Sequence, residues 1–280
     1  MKKIAVITMA RNDEWFLNRW IAYYGRHFGE ENLFIYLDGL DQKAPSGAGR
    51  AHIKAVDKLG IEVVDAERQR LDFLSDRAAG LFAMGYGIVI GTDADEFLAL
   101  DPRAGDNLAR YLSDKKFGAV LSPLGLDFAE HPSEKPFDES KLFLRQREHA
   151  LIHSRFTKAS IISRPARWGR GFHRARGHGF RIDPNLYLLH FGNYSLDAVR
   201  AKMKHPDIIA RNEVRHYERN RLRIFGEVAR GKNYRGDFDS SVRMARVVQT
   251  FARSPFAWNK PKMLGLKRAV KIPERFGNIV

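Results

Sequence analysis

The 280-residue chain has no cysteine, which excludes disulfide scaffolds, zinc ribbons and thiol chemistry and fits a reducing cytosol. It has no run approaching the roughly 20 apolar residues of a membrane-spanning helix. The apolar run Ile4-Ala5-Val6-Ile7 follows two lysines and gives way to Arg11-Asn12-Asp13-Glu14, too short for a signal peptide. A cytoplasmic protein is expected, with any membrane contact peripheral and on the inner face. Internal repeats and low-complexity segments are also lacking. Acidic residues are scarce in one half only: residues 1–150 hold 20 Lys or Arg against 24 Asp or Glu, and residues 151–280 hold 28 against 9. The net charge of +15 therefore belongs to the second half, a balance that suits polyanionic partners. A hydrophobic content of 44% supplies enough apolar material for one large core or two small ones and excludes a disordered chain.

Ile4 to Met9 is β-rich, and Asn12 is placed to cap a helix with acids in its first turn. Phe16, Leu17, Trp20, Ile21, Tyr24 and Phe28 recur at helical spacing, and Gly29 ends the stripe. Leu33 to Leu37 reads as a second strand, His52 to Leu59 as a helix, Ile61 to Val64 as a third strand and Ser75 to Met84 as a helix. Gly87 to Gly91 is a fourth strand, ending at Thr92-Asp93-Ala94-Asp95-Glu96. This alternation predicts an α/β protein with a mostly parallel sheet and helices on both faces. Such sheets bind ligands at the carboxyl ends of their strands. Three polar clusters fall there: Arg11-Asn12-Asp13, Asp38-Gly39-Leu40-Asp41 and Asp93-Ala94-Asp95. After Leu121 the pattern turns to β-rich segments, through Ala159-Ile162 and Leu186-Leu189, and from Ser195 it becomes helical and basic. The expected division is a catalytic domain over 1–205 and a basic, mainly helical extension over 206–280.

Carboxylates gathered directly after an apolar strand repel one another unless a hard divalent cation bridges them, and Mg²⁺ or Mn²⁺ takes oxygen ligands while leaving positions for substrate phosphates. The same acids also serve as a solvated strand end or as caps of a following helix.

The string Thr8-Met9-Ala10-Arg11-Asn12-Asp13, the helix with Trp20-Ile21-Ala22-Tyr23-Tyr24, the strand end Tyr36-Leu37-Asp38-Gly39, and Asp93-Ala94-Asp95-Glu96-Phe97-Leu98 together resemble family-2-type glycosyltransferases with the GT-A fold. The branch is the one whose metal motif reads Asp-Xaa-Asp-Glu-Phe. The resemblance covers about the first hundred residues, with a weaker continuation through Lys158-Ile161 and Leu189-His190-Phe191 to Ser195. It implies a GT-A, Rossmann-like mixed sheet flanked by helices and a nucleotide-sugar site. Asp93 and Asp95 would lie at the metal and diphosphate, Asp38 near the nucleoside, and Arg11 and Arg77 near the phosphate or uracil end. The branch usually has Glu where this chain has Asp13. His190 would complete the metal shell, or else is a buried structural histidine; a neutral imidazole beside two carboxylates favours Mn²⁺ over Mg²⁺. His173 and His178, among Arg167, Arg170, Arg174 and Arg176, read as an anion-binding loop.

The activity implied is metal-dependent sugar transfer from a nucleoside diphosphate sugar, a UDP-sugar by expectation, to a glycan or glycolipid acceptor in surface polysaccharide or lipopolysaccharide synthesis. If the reaction inverts the anomeric centre, a carboxylate must accept the acceptor's proton; Asp127 is the candidate, with Glu130 and Asp183 as rivals. Arg200, Lys202, Lys204, Arg211, Arg215, Arg219, Arg221 and Arg223 read as an ordinary solvated face or as a surface for anionic lipid headgroups or a phosphorylated glycan, and the charge imbalance of the second half favours the surface. Phe251, Phe256 and Trp258, with Lys260 and Lys262, read as an interfacial anchor or as caps on the core. A nucleic-acid-binding protein fits the charge but leaves the acidic cluster unused, so no nucleic acid is expected. A haloacid-dehalogenase-type phosphatase places its Asp-Xaa-Asp on the first strand, followed by Thr or Val, whereas Phe97 stands at that position here. A catalytically inactive binding module of the same fold is the remaining alternative.

Overall fold

The computed structural model describes residues 1–60, 63–206, 209, 214–230, 237–252 and 267–280. Strands β1 (Ile4–Ala10), β2 (Leu33–Asp38), β3 (His52–Val56) and β4 (Ile88–Gly91) form a parallel sheet in the order β3-β2-β1-β4. Helices α1 (Glu14–Phe28) and α2 (Val63–Ala83) join them. β1 is buried on both faces: Ile4 and Val6 join one apolar cluster with α1, while Ala5, Ile7 and Met9 join another with Leu71, Leu74 and Ala78 of α2. This is why its sequence is almost continuously apolar rather than alternating.

Beyond β4 the sheet becomes mixed. β5 (Glu96–Leu100) is followed by α3 (Leu108–Asp114), β6 (Val120–Ala129), β7 (His149–His153), β8 (Ile161–Ile162) and β9 (Ile182–Asn193). β8 bridges β4 and β6 with antiparallel pairing, β6 pairs antiparallel with β7 and parallel with β9, and β9 pairs antiparallel with β5. The result is an α/β protein with a mixed sheet flanked by helices, compatible with a Rossmann-like fold.

The basic C-terminal part is woven into the same sheet. α4 (Leu196–Met203) and α5 (Val214–Tyr217) lead through a π-helical turn (Glu218–Leu222) into α6 (Arg223–Ala229). Val199, Ile224, Phe225 and Val228 bury themselves against Ala129, Leu151 and Ala269. After α7 (Phe238–Ala252), β10 (Lys267–Lys271) adds an edge strand antiparallel to β7. Among the described residues no helix is long and apolar enough to cross a membrane.

Three sequence expectations are corrected. Residues 52–56 form strand β3 instead of a helix, and Val63 and Val64 open α2 instead of ending a third strand. β3 pairs on one side only and is partly exposed, so its alternation is weak. The helix at 75–84 is the second half of the longer α2. At the start of α1 the cap position is Asp13, while Asn12 takes a left-handed φ of 52°; Gly29 ends the helix as expected. Ile61, Arg211, Ser254-Pro255, Phe256, Trp258, Lys260 and Lys262 lie outside the described residues.

Candidate functional site

β1 runs beside β4, and the chain winds outward from β1 through α1 to β2. The carboxyl ends of β1 and β4 therefore open into the crevice where doubly wound sheets take ligands. A cavity of about 410 Å³ lies there, lined by Arg11, Asp13, Asp38, Asp93 and Asp95 from the strand ends, by Arg70 of α2, and by His153, Arg155, His190, Lys202, Arg221, Arg223 and Lys267. The seven Lys and Arg side chains outnumber the four carboxylates, so the cavity as a whole favours an anion.

α1 fixes the turn that carries the acids. The Trp20 indole N–H donates to Oγ1 of Thr92 at 2.9 Å. The Tyr24 hydroxyl accepts from the amide of Leu98 at 2.8 Å and donates to the carbonyl of Glu96 at 3.1 Å. The aromatic stripe of α1 thus holds both ends of the Asp93-Ala94-Asp95 turn.

The two motif aspartates have different surroundings. Asp93 is ion-paired through both oxygens: Oδ1 accepts from Arg70 at 2.8 Å and Oδ2 from Lys158 at 2.6 Å. Lys158 also pairs with Oε1 of Glu96 at 2.5 Å. Lys158 and Arg70 hold the Asp93 carboxyl well below the usual range against the effect of burial. Burial pushes Glu96 up to about 7 despite the pull of Lys158, and its carboxylate partners keep the Lys158 ammonium charged.

Asp95 instead faces His190. Oδ2 of Asp95 lies 3.2 Å from Nε2 of His190, and Nδ1 of His190 lies 2.7 Å from Oδ1 of Asp127. The strand register sets this up, because β9 lies between β5 and β6 with Glu96 and Asp127 both opposite His190. Burial opposes charging of His190, but the flanking Asp95 and Asp127 carboxylates raise it to about 9. Gly192 completes the arrangement: a Cβ there would collide with the Arg221 guanidinium and stand 2.5 Å from Oδ2 of Asp95 and 2.8 Å from Nε2 of His190. Only a residue without a side chain admits all three groups.

The candidate base Asp127 is placed differently from the sequence expectation. It is 0% exposed and absent from the cavity wall. Oδ1 accepts from His190 and, at 3.1 Å, from Asn193, while Oδ2 is buried without a hydrogen-bond partner among the described residues. It orients the imidazole and cannot meet an acceptor. Of its rivals, Glu130 accepts the Leu196 amide at the start of α4. Asp183 is buried against Lys115 and Tyr111.

Arg11 lines the cavity and is held by the Asp38 carbonyl at 2.7 Å and by both oxygens of Asp41. Asp38 lines it too, with Oδ1 accepting the Leu59 amide at 2.7 Å. Arg77 is not among the cavity-lining residues: it is exposed, its guanidinium 4.7 Å from the centre of the Phe73 ring. Arg70, about two helical turns earlier on α2, stands in the cavity. Arg70, Lys158 and Arg221 were missed by sequence reasoning as contacts of the motif acids, and only the placement of Arg221 within a π turn, a feature common at functional sites, marks one of them structurally. In the loop after β8, Phe172 and Trp168 are buried in the α2-side core, and Arg167 and Arg176 reach Asp76 and Asp72 of α2.

Among the described residues no three His, Asp or Glu side chains converge into a ready-made metal cage. Asp93, with both oxygens taken by Lys158 and Arg70, does not fit as a direct ligand. Asp95 and His190 do fit. They converge over Gly192, and Asp127 accepts from the other ring nitrogen, the carboxylate–histidine support typical of metal-binding imidazoles. A two-residue protein set suits a hard cation that keeps substrate phosphates among its ligands.

The fold is that of an α/β protein with a mixed sheet flanked by helices, compatible with a Rossmann-like fold, with a cavity at the strand carboxyl ends. The chain matches no known protein-family model and no curated protein.

Proposed function

We propose that this protein is a GT-A-type glycosyltransferase that moves a sugar from a nucleoside diphosphate sugar to a hydroxyl of a glycan or glycolipid. The observation that carries this reading is the convergence of Asp95 and His190 over Gly192 inside a predominantly cationic crevice at the ends of β1 and β4. The pattern suits a divalent cation and a diphosphate together. Asp95 and His190 would hold Mn²⁺ or Mg²⁺, which when bound neutralises charge developing on the departing diphosphate.

The chain's own residues have distinct tasks in this reading. Asp127 would keep the proton of His190 on Nδ1, while the one on Nε2, the nitrogen that faces Asp95, would be displaced when a cation binds. Arg70 and Lys158 anchor Asp93 in its ionised form, as an acceptor for donor hydroxyl groups. Lys202 and Arg221 bring positive charge to the Asp95 side, where phosphate oxygens would lie. Burial drives Asp13, one of the cavity carboxylates, toward holding a proton against the pull of Lys202. Its side chain makes no capping bond to α1 and its Oδ2 accepts from Lys202 at 3.2 Å; in this reading Lys202 holds it beside the cavity to take the acceptor's proton in an inverting transfer.

Thermal-shift screening of nucleoside diphosphates and their sugars, with and without Mn²⁺, tests the proposal, because a ligand that binds the native state raises its melting temperature. A rise that needs both nucleotide and metal supports it. No shift with any nucleoside diphosphate would count against it.

A further inference from the structure

Helix α7 buries Phe238, Ser241, Val242 and Gln249 and turns the opposite side outward. On that outer side Met244, Val247 and Phe251 are 57%, 56% and 85% exposed. At 100° per residue these three lie within about 60° of one another, forming a single stripe. The described residues contain eight large exposed hydrophobics, and three of them are on this one face; scattered apolar residues need no explanation, but a stripe does. Arg243, exposed, borders the stripe, and Arg268 reaches the sulfur of Met244 at 3.6 Å.

We infer that this face of α7 docks on a membrane surface carrying anionic lipid. A second copy of the chain would bring the same +15 charge to the contact, whereas an anionic bilayer complements it and accepts the apolar stripe at the headgroup boundary. The direction of the helix adds a geometric argument. Phe238 packs on Phe276 with ring centres 5.7 Å apart, and Met244 lies beside Arg268. α7 therefore runs opposite to β10, toward the end where Lys267 lines the cavity. Docking brings the crevice toward the bilayer; that this serves a lipid-linked acceptor rests on the function proposed above.

The full chain is sedimented with vesicles of phosphatidylcholine alone and of an equimolar mixture of phosphatidylcholine and phosphatidylglycerol. Binding is expected with the mixed vesicles only, weakening as salt is added. The double variant Val247→Asp/Phe251→Asp should lose about tenfold or more in affinity with an unchanged melting temperature, since both side chains are exposed. Equal binding to neutral vesicles, no binding to either, or wild-type binding by the double variant would overturn the inference. So would a concentration-dependent dimer that the double variant abolishes. Vesicle binding reads the α7 face and nucleotide binding reads the cavity, so the failure of one is distinguishable from the failure of the other.

Discussion

Oδ1 of Asp127 accepts a hydrogen bond from Nδ1 of His190 at 2.7 Å, between two strands whose register places these residues side by side. An acid with no access to the cavity thereby fixes which nitrogen of an accessible histidine faces Asp95. Removing the acceptor in Asp127→Ala should weaken metal-dependent nucleotide binding by about 10–100-fold. Asp127→Asn keeps an acceptor oxygen and should recover part of that loss. Calorimetric titration of the two variants checks this; equal affinities for Asp127→Ala and the wild type would show the contact to be structural only.

Gly192→Ala tests the convergence itself. The added methyl must displace the Arg221 guanidinium and press on Asp95 and His190. The flexible end of Arg221 can move aside, so the fold should survive while the Asp95–His190 spacing does not. Metal-dependent nucleotide binding is expected to fall by an order of magnitude or more with a small change in melting temperature. A variant that binds normally would separate this pair from the ligand site.

Lys158 is buried between Asp93 and Glu96. Lys158→Met leaves the buried Glu96 without its cation and the half-buried Asp93 with Arg70 alone, a loss of about 3–5 kcal/mol by the usual cost of breaking a buried ion pair. Adding Glu96→Gln should restore part of it, because the stranded charge is then gone. Urea denaturation of the single and double variants measures both effects.

Acid lability follows from one buried and one half-buried histidine. Burial lowers His27 and His153 from 6.5 to about 4, and His27 Nε2 has no hydrogen-bond partner among the described residues. The folded state binds their protons less readily than the unfolded chain. Their stabilisation is therefore fully present above about pH 6.5 and lost as the pH falls toward 4. Denaturation midpoints should drop across that window, and His27→Phe should flatten part of the slope. A slope unchanged in the variant would assign the acid lability elsewhere.

Much of the fold was legible in the sequence because burial imposed its period there. β1 and β4 read as apolar runs, and α1 as an aromatic stripe closed by Gly29. The stretch 52–64 misled, since the edge strand β3 is half solvated and the β-branched pair Val63-Val64 opens a helix. At the site, Asp93 and Asp95 stood out because charges at the end of a buried strand are conspicuous. Their partners did not. Arg70 sits on a helix rich in charge on all sides, Lys158 is 65 residues from Asp93 in the chain, and the burial of Asp127 depends on the β6–β9 register. Sequence spacing carries no trace of such contacts.

The central claim is that Asp95, with His190, makes nucleotide binding depend on a divalent cation. Isothermal titration of a nucleoside diphosphate into the wild type and Asp95→Ala, each with and without Mn²⁺, tests it most directly. We expect Mn²⁺-dependent binding in the wild type and none in a folded Asp95→Ala. Binding of equal strength in both proteins, indifferent to the metal, would contradict it.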